Sequence, residues 1–453
     1  MQLLCALRLS LTPSSSPILG EEQRGEGIAF VGAGGKTTAV FQLARDLLSS
    51  QSIVHRSSSV IVTATSHLGV WQIPLADGHI TAERPEEIGR IPEGVTLVTG
   101  PIEGDRTQSV NPSVLSWLRD VSKQENLPLL IEADGARGLP LKAPAAHEPP
   151  IPDFVDMVIV VAGLSGLGKN ISEAVFREEE FRKLGESAGR QVSPETLTRV
   201  LTHPEGGLKN IPAQARRVAL LNQAETPELQ AIGGKMAHDL LDHFDSVLVG
   251  SLQQNNFHTF ERTAGIILAA GESKRFGKPK QLLEWKGKPF VRQVAETATR
   301  AGLSPVIIVT GAKAEEVENA VSGLEAQIVR NENWQSGQAS SIVAGIASLP
   351  ENIGGCLFLL ADQPQIGEDV IRALTEIHAQ SLPSILAPLV LEEKRANPVL
   401  FDRVTFPDLL KLTGDVGGRA IFGKHKVEFL PWHDDALLLD VDTPEDYERL
   451  KNL

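Results

Sequence analysis

The stretch AGIILAAGESKRFGKPKQLL (264–283) joins a run of apolar residues to a turn that combines glycines with basic side chains. The apolar run predicts a buried strand. Gly271 and Gly277 permit backbone conformations with positive φ, which bring N–H groups close to a ligand. Positive charge is added to the same loop by Arg275, Lys278 and Lys280. Exposed backbone donors beside cations suit a triphosphate, so the pattern predicts a phosphate-binding loop, with a bare strand-to-helix turn as the alternative.

Short apolar, β-branched runs like this one recur along the chain and alternate with segments of helical period. Towards the C-terminus they lie at 264–270, 305–311, 326–330, 355–362, 384–390 and 427–430. Towards the N-terminus they lie at 28–32, 60–65, 95–100, 127–134, 157–163, 218–222 and 246–252. Strands that alternate with helices indicate parallel sheets covered on both faces. The predicted fold class is therefore α/β, with two Rossmann-like three-layer domains.

The domain boundaries follow from length and from one polar segment. A chain of 453 residues is too long for a single compact core. The segment QQNNFHTFERT (253–263) separates the two sets of strands, and we interpret it as a linker. The predicted domains are 27–252 and 264–453, with residues 1–26 as an N-terminal extension.

Composition and charge exclude several function classes. The formal net charge of −14 argues against nucleic acid or an anionic membrane as the main partner, because both require basic patches. The two cysteines, Cys5 and Cys356, have no motif spacing, so neither a disulfide framework nor a zinc site is indicated. The apolar start of the chain lacks a signal-peptide cleavage pattern, and no run approaches the ~20 apolar residues of a membrane span. We expect a cytoplasmic protein.

A second apolar run of the C-terminal half, GGCLFLLAD (354–362), ends in Asp362. In open α/β sheets the ligand crevice lies outside the carboxyl ends of the strands, so this carboxylate is expected near the glycine loop. A carboxylate there suits Mg²⁺, which prefers oxygen ligands and nucleotide phosphates. The alternative is that Asp362 only caps the helix that Pro364 begins.

Five motifs in one order resemble those of MobA-like nucleotidyltransferases, and within that superfamily those of molybdenum cofactor cytidylyltransferases. They are LAAGxSxRFGxxKxLL (268–283), ADQP (361–364), R-x-NPVLF (395–401), GDVGGR (414–419) and DVDTPEDY (440–447). The resemblance covers nearly all of 264–453 and implies a GT-A/MobA-like sheet. Guanylyl-transferring relatives typically have LAGG where this chain has Ala270, so the loop resembles the cytidine-specific branch.

The resemblance also implies a role for individual residues. The nucleotide-binding residues are expected to be Leu268, Ala269, Ala270, Gly271, Ser273 and Gly277. The residues expected to be catalytic are Arg275, Lys280 and Asp362. The substrate-binding residues are expected to be Asn397, Asp415 and Gly417. Mg²⁺ is expected on Asp362 and Asp442, with Asp440 as the alternative second ligand. Two departures, Ala396 and Gly418, exchange small residues in the loops expected to bind the pterin.

The implied reaction is transfer of CMP from CTP to the terminal phosphate of the molybdenum-bound pterin, with release of pyrophosphate. Such chemistry needs alignment and charge stabilisation rather than a protein nucleophile. Two rival functions stay open. One is nucleotidyl transfer to a sugar or polyol phosphate, and the other, of a different class, is a nucleotide-switched chaperone that delivers cofactor.

The N-terminal motif FVGAGGKTTAVFQLA (30–44) lies between a predicted strand and a predicted helix. Its Gly-Lys-Thr matches the end of a P-loop, although the first glycine of the standard pattern falls at Phe30. A dinucleotide-binding loop is the alternative, but its third glycine and its ribose-binding acid are absent from the sequence. The phosphate-binding residues predicted here are Gly32, Gly34, Gly35, Lys36, Thr37 and Thr38. They are grouped with Glu132 and Asp134 at a neighbouring strand end, where a metal or water site is expected, and an acidic turn beside Gly135 is the alternative.

Four N-terminal motifs resemble the YqeC-like family, accessory proteins of selenium-dependent molybdenum hydroxylases. They are VGAGGKTT (31–38), EADGARGLPLKAP (132–144), HEP (147–149) and LNQAE (221–225). The resemblance implies a nucleotide-binding accessory module in maturation of a molybdenum hydroxylase, whose apoenzyme would be a partner.

Overall fold

The computed structural model describes residues 1–9, 27–49, 58–272, 276, 279–391 and 394–453. These residues divide into two compact units, one that extends as far as Phe260 and one that begins at Glu261. Each unit contains a large sheet with helices, which confirms the α/β class. Among the described residues, no helix combines the length and the apolar character that crossing a membrane requires.

The first unit is built on a sheet in which nine described strands follow the order β13-β12-β11-β9-β1-β7-β2-β4-β3. Its strands are β1 (Gly27–Gly32), β2 (Ser59–Ala64), β3 (Gly78–Thr81), β4 (Gly94–Thr99), β5 (Ile102–Glu103), β6 (Arg106–Thr107), β7 (Leu129–Glu132), β8 (Leu141–Lys142), β9 (Met157–Gly163), β10 (Val175–Phe176), β11 (Arg216–Asn222), β12 (Ser246–Ser251) and β13 (Asn256–Phe260). Its helices are α1 (Leu3–Ala6), α2 (Lys36–Ser49), α3 (Pro112–Glu125), α4 (Ile171–Ala174), α5 (Glu178–Leu184), α6 (Pro194–Thr202) and α7 (Pro227–Leu240).

The centre of this sheet explains where its chemistry collects. β1 pairs in parallel with β7 on one side and with β9 on the other. All three strands are almost continuously buried, as expected for parallel strands covered on both faces. Their carboxyl ends therefore meet at one edge, where the glycine loop after β1 faces the acidic end of β7.

The expected linker at 253–263 is replaced by two strands. β13 pairs antiparallel with β12, and the first strand of the second unit begins at Arg262. Within 256–260, Phe257 and Thr259 are buried and alternate with residues that are at least partly exposed. The segment is therefore a half-buried edge strand with a period of two, although most of its residues are polar.

The expected N-terminal extension is also incorrect for the first nine residues. α1 packs into the core of the first unit, where Leu3 and Leu7 are fully buried. The backbone of Met1 accepts a hydrogen bond from the amide of Phe257. The apolar side chains at the start of the chain are thus core residues, and residues 10–26 of the predicted extension lie outside the described residues.

The second unit contains a mixed sheet in the order β18-β17-β14-β19-β22-β20-β21, with β23 paired to β20. Its strands are β14 (Arg262–Ala269), β15 (Glu284–Trp285), β16 (Lys288–Pro289), β17 (Val306–Thr310), β18 (Gln327–Arg330), β19 (Ile353–Leu360), β20 (Ile385–Val390), β21 (Lys394–Arg395), β22 (Val399–Asp402) and β23 (Val427–Trp432). Its helices are α8 (Phe290–Arg300), α9 (Ala314–Ala320), α10 (Gln338–Ala347), α11 (Glu368–Ser381), α12 (Phe406–Leu409) and α13 (Pro444–Lys451).

Alternation along β14 produces the three layers of this unit. Ile267 belongs to a core cluster with residues of α8 and α11, whereas Ile266 belongs to a separate cluster with residues of α10. β14 pairs in parallel with β17 and β19, but β22 is antiparallel to β19. The carboxyl ends of β14 and β19 therefore lie side by side, next to the strand that carries the NPVLF motif.

Candidate functional site

In the second unit, the predicted nucleotide loop begins where β14 ends. The side-chain amide of Gln281 donates hydrogen bonds to the carbonyls of Ala269 (3.4 Å) and Gly271 (3.1 Å), and thereby holds the start of the loop. The carbonyl of Ala270 accepts a bond from the amide of Ala312. Three residues predicted for this loop lie outside the described residues: Ser273, Arg275 and Gly277.

Lys280 is the centre of the site. It begins a short 3₁₀ helix, Lys280–Leu282, and is buried. Its ammonium is hydrogen-bonded to the carboxylate of Asp442 and lies 3.7 Å from Oδ2 of Asp362. The structure thus brings together three residues that the sequence assigned to catalysis or metal binding, although they span 162 positions.

Two carboxyls near Lys280, those of Asp362 and Asp440, have a raised pKa. Burial raises the pKa of Asp362; Lys280 opposes the shift, and Asp440 and Asp442 add to it. Burial also raises the pKa of Asp440, against a hydrogen bond from the amide of Gln363. Among the described residues, Asp362, Asp440 and Asp442 thus repel one another, while Lys280 opposes the raised pKa of Asp362 and Arg419 that of Asp440.

The described residues contain no group of three or more histidine, cysteine or acidic side chains arranged to hold a metal ion. Two carboxylates are enough for Mg²⁺, which is commonly bound through one or two of them with phosphate oxygens and water as the other ligands. Asp442 is positioned for this by the start of α13, where Thr443 and Asp446 form a reciprocal cap. Thr443 is the N-cap of this helix, Pro444 follows it, and Asp446 completes the capping box.

A cavity of about 280 Å³ opens near the end of β14 and is lined by residues of the R-x-NPVLF and GDVGGR motifs. Its lining includes Leu268, Asn397 and Gly417, three residues expected at the site. Arg419 and Gln338 line it as well, and sequence reasoning assigned neither of them a role. Arg419 is the final residue of GDVGGR, so a search for a cation within that motif could have identified it.

Asp415, expected to bind substrate, does not belong to the lining of this cavity. Its Oδ1 accepts a hydrogen bond from the amide of Gln338 at 3.3 Å, at the N-terminus of α10. Gly337 has φ of +111°, and a Cβ built on it would lie 2.6 Å from the Cα of Asp415. A glycine is therefore required where the GDVGGR loop meets the start of α10.

In the first unit, the glycine loop and the acidic strand end meet as predicted for a phosphate site. Nζ of Lys36 donates to the carbonyl of Gly32 (2.6 Å) and lies 3.2 Å from Oδ1 of Asp134. Oγ1 of Thr37 donates to Glu132 at 2.9 Å. Burial raises the pKa of Glu132, with Lys36 and Thr37 opposing the shift. Thr38 is exposed in the first turn of α2.

The glycine loop of the first unit needs its glycines for steric reasons. Gly32 and Gly34 have φ of +95° and +85°. A Cβ on Gly32 would lie 2.2 Å from the carbonyl of Val161, and one on Gly34 would lie 2.5 Å from the amide of Gly163. Gly35, with φ of +126°, is equally restricted. These glycines shape a tight loop at the carboxyl end of β1.

A chain of buried charges that sequence reasoning did not identify extends from this loop. Lys142 contacts both Asp134 and Glu148 at 2.8 Å, and Arg177 pairs with Glu148 at 2.6 Å. Burial alone would raise the pKa of Glu148, but hydrogen bonds from Arg177 and Lys142 outweigh it and lower that pKa to about 2. The charges are thus arranged in the order Lys36, Asp134, Lys142, Glu148, Arg177.

Comparison with known proteins finds a family for each unit. The MobA-like NTP transferase domain matches residues 265–429, and the YqeC protein family matches residues 28–179. The uncharacterized protein YqeC of Escherichia coli K12 is 31% identical over 244 residues, which cover 52% of this chain and 91% of that protein. The chain belongs to the YqeC family and carries a MobA-like NTP transferase domain.

Two further relatives match the second unit of this YqeC–MobA-like protein. Nicotine blue oxidoreductase of Paenarthrobacter nicotinovorans is 34% identical over 197 residues, covering 41% of this chain and 95% of that protein. A probable molybdenum cofactor guanylyltransferase of Bacillus cytotoxicus is 28% identical over 139 residues, covering 30% of this chain and 66% of that protein. The second unit is thus a nucleotidyltransferase of the MobA type, related to molybdenum cofactor nucleotidyltransferases.

Proposed function

We propose that the second unit transfers CMP from CTP to the terminal phosphate of molybdopterin that carries molybdenum, which forms molybdopterin cytosine dinucleotide. The observation that carries the proposal is the meeting of Lys280 with Asp362 and Asp442 beside the cavity that Asn397 and Arg419 line. A phosphate-directed cation, two metal-binding carboxylates and a neighbouring substrate cavity are the parts that nucleotidyl transfer needs.

CTP is proposed as the donor because of the loop sequence. Ala270 stands where guanylyl-transferring relatives typically carry the first glycine of LAGG. The methyl group of Ala270 packs closely against Gly311, because a Cβ built on Gly311 would lie only 2.8 Å from the Cβ of Ala270. The Bacillus cytotoxicus relative is named a guanylyltransferase, so donor choice is the first property to measure.

Mg²⁺ fits the donor set of the site. The available ligands are carboxylate oxygens, which Mg²⁺ prefers. Burial raises the pKa of both Asp362 and Asp440, and a bound cation would lower the pKa of these carboxyls again. Asp362 and Asp442 would hold the ion. When bound, it would neutralise charge on the nucleotide phosphates and orient them.

The protein groups act by alignment and by charge. Lys280 exchanges its carboxylate partners for phosphate oxygens of CTP, and the backbone at Ala270 and Gly271 faces the same phosphates. Arg275, outside the described residues, is proposed as the second cation. Asn397 and Arg419 orient the terminal phosphate of the pterin.

The transfer itself requires no protein nucleophile. An oxygen of the terminal phosphate of the pterin forms a bond to the α-phosphorus, and the bond from that phosphorus to the β-bridging oxygen breaks. Pyrophosphate leaves with the electron pair. A phosphate monoester has a second pKa of about 6, so the attacking oxygen is largely ionised at pH 7 without a general base.

The test is pyrophosphate release from CTP, and separately from GTP, with molybdenum-loaded molybdopterin and Mg²⁺. We expect release with CTP, and a decrease of at least about 100-fold in Asp362→Asn. Asp408→Asn is the matched control, since Asp408 pairs with Lys424 and His425 and belongs to none of the proposed contacts. Pyrophosphate release with a sugar or polyol phosphate instead of the pterin would reject the pterin as acceptor. NAD(P)H oxidation without pyrophosphate release would favour an oxidoreductase activity, as the name of the Paenarthrobacter relative suggests.

For the first unit we propose a nucleotide-binding module that assists maturation of a molybdenum hydroxylase, with the hydroxylase apoenzyme as partner. The support is the convergence of Lys36, Thr37, Glu132 and Asp134 at one edge of the sheet. Lys36→Ala should abolish nucleotide binding by this unit and leave cytidylyl transfer unchanged. If the same variant, still folded, also lost the transfer activity, the two units would not divide the work in this way. No transfer by the parent protein with any nucleotide would instead favour a nucleotide-switched delivery factor.

A further inference from the structure

Trp71 has the most exposed large apolar side chain among the described residues, at 74%. It lies in a 3₁₀ helix, Val70–Leu75, of the first unit. Tryptophan usually buries most of its surface, because that burial is a large contribution to stability. An exposed tryptophan needs a reason beyond packing, and its neighbours supply one.

Gln72, the next residue, is buried and ties this turn to the phosphate site. Its Oε1 accepts a hydrogen bond from the amide of Gly69 at 2.8 Å. Its Nε2 donates to Oγ1 of Thr37, also at 2.8 Å. Both ends of one amide are therefore used to hold the turn against the hydroxyl that contacts Glu132. Trp71 directly precedes Gln72, so its Cα lies about 3.8 Å from the Cα of the residue that makes this contact.

The other side of the turn is held by the β5–β6 hairpin. The amide of Val70 donates to the carbonyl of Asp105 at 2.9 Å, and the amide of Thr107 donates to the carbonyl of Leu68 at 2.8 Å. A Cβ on Gly69 would lie 2.4 Å from Nε1 of Trp71, so the pyrrole edge of the indole rests directly on that glycine. The ring is thus positioned by backbone contacts, and most of its surface is left exposed.

We propose that Trp71 is the stacking surface for the base of a nucleoside triphosphate whose phosphates are bound by the loop 32–38. This inference rests on the proposed nucleotide-binding function of the first unit. The glycine loop and Lys36 recognise phosphate alone, so a nucleotide bound there needs a separate contact for its base. The exposed indole belongs to the residue before Gln72, whose side chain contacts Thr37, and it offers a flat apolar face on which any base can stack.

The test uses the full chain in Mg²⁺ buffer, with ATP, GTP and inorganic tripolyphosphate as probes. Tripolyphosphate has the phosphates without the base. Binding is measured by titration calorimetry, and only the component lost in Lys36→Ala is assigned to the first unit. In Trp71→Ala we expect ATP and GTP to bind roughly 5- to 100-fold more weakly, whereas tripolyphosphate stays within about twofold.

Two further variants separate stacking from loss of structure. Trp71→Phe keeps an aromatic face, so it should keep most of the nucleotide affinity. It should also remove the nucleotide-dependent quenching of tryptophan fluorescence that we expect of the parent protein. Leu75→Ala removes another exposed apolar side chain from the same 3₁₀ helix, 40% exposed, and should leave all three affinities unchanged.

The outcomes distinguish the two proposals. If neither tripolyphosphate nor nucleotide shows binding that depends on Lys36, the nucleotide function of the first unit is wrong. If tripolyphosphate binds but Trp71→Ala leaves nucleotide affinity as it was, the stacking proposal alone is wrong. Equal weakening of tripolyphosphate and nucleotide would also overturn it, because the tryptophan would then support the loop rather than the base.

Discussion

Replacing Lys280 with methionine removes the charge at the centre of the second unit and keeps a side chain of similar length. In the parent protein the ammonium is hydrogen-bonded to Asp442 and lies 3.7 Å from Asp362. Breaking a fully buried pair destabilises by ~3–5 kcal/mol, but these carboxylates are 56% and 32% exposed, so solvent screens much of that. We expect a loss of about 1–2 kcal/mol, which for a unit of this size lowers its Tm by roughly 2–8 °C.

The loss should depend on pH in a defined direction. Because burial raises the pKa of Asp362, folding favours the protonated carboxyl. The native state therefore loses stability as pH rises from the ordinary aspartate value through the raised one. Without Lys280 that pKa rises further, so the variant should be close to the parent near pH 4.5 and clearly less stable at pH 7.5. Mg²⁺ should restore part of the difference, since it replaces the missing positive charge.

The assays are thermal unfolding at the two pH values, with and without Mg²⁺, and pyrophosphate release with CTP and the pterin. Transfer should fall about 100- to 1000-fold, the usual effect of losing one charge-stabilising donor. Lys424→Met is the matched control, because Lys424 is 60% exposed and pairs with Asp408, and neither residue belongs to the proposed contacts. A pH-independent loss of stability, or transfer at the parental rate, would refute the reasoning about Lys280.

Three other variants test separate parts of the molecule. Ala270→Gly should shift the ratio of CTP to GTP use towards GTP by about 10-fold or more, measured as kcat/KM for each nucleotide. Arg419→Ala should raise KM for the pterin about 10-fold, with CTP binding by calorimetry unchanged. Glu148→Gln removes a carboxyl whose pKa is lowered to about 2, so the stability it contributes above the ordinary glutamate value should vanish. In urea unfolding between pH 5 and 2.5, the parent protein should therefore lose more stability on acidification than the variant.

Much of the site was predictable because the informative residues follow strand ends. Asp362 follows β19 and the glycine loop follows β14, and parallel strands bring their carboxyl ends to one edge. The expectation that Asp362 meets the loop thus needed only two local patterns and one rule of topology. The same rule brought Glu132 next to Lys36 in the first unit.

The remaining contacts depend on which distant segments become neighbours, and local patterns carry no such information. The antiparallel insertion of β22 between β19 and β20 decides which side chains line the cavity. Asp415 was expected to bind substrate, but the close approach of its loop to Gly337 turned its carboxylate towards a helix start. β13 was not predicted from the sequence because its composition is polar. The burial of its side chains depends on pairing with β12, which the local sequence does not reveal.

The two units share one electrostatic arrangement, although their folds and loops differ. In each, the lysine directed at phosphate is bonded to an aspartate that stands where a metal ligand is expected: Lys36 with Asp134, and Lys280 with Asp442. On the proposed functions, a phosphate competes with the aspartate for the lysine, and a divalent cation competes with the lysine for the aspartate. A metal ion alone takes the carboxylate from a buried lysine, and a phosphate alone takes the lysine from the aspartate, so each ligand by itself replaces only one side of the pair. Both together exchange the partners and leave every charge paired, so this arrangement favours the metal–nucleotide complex over either component.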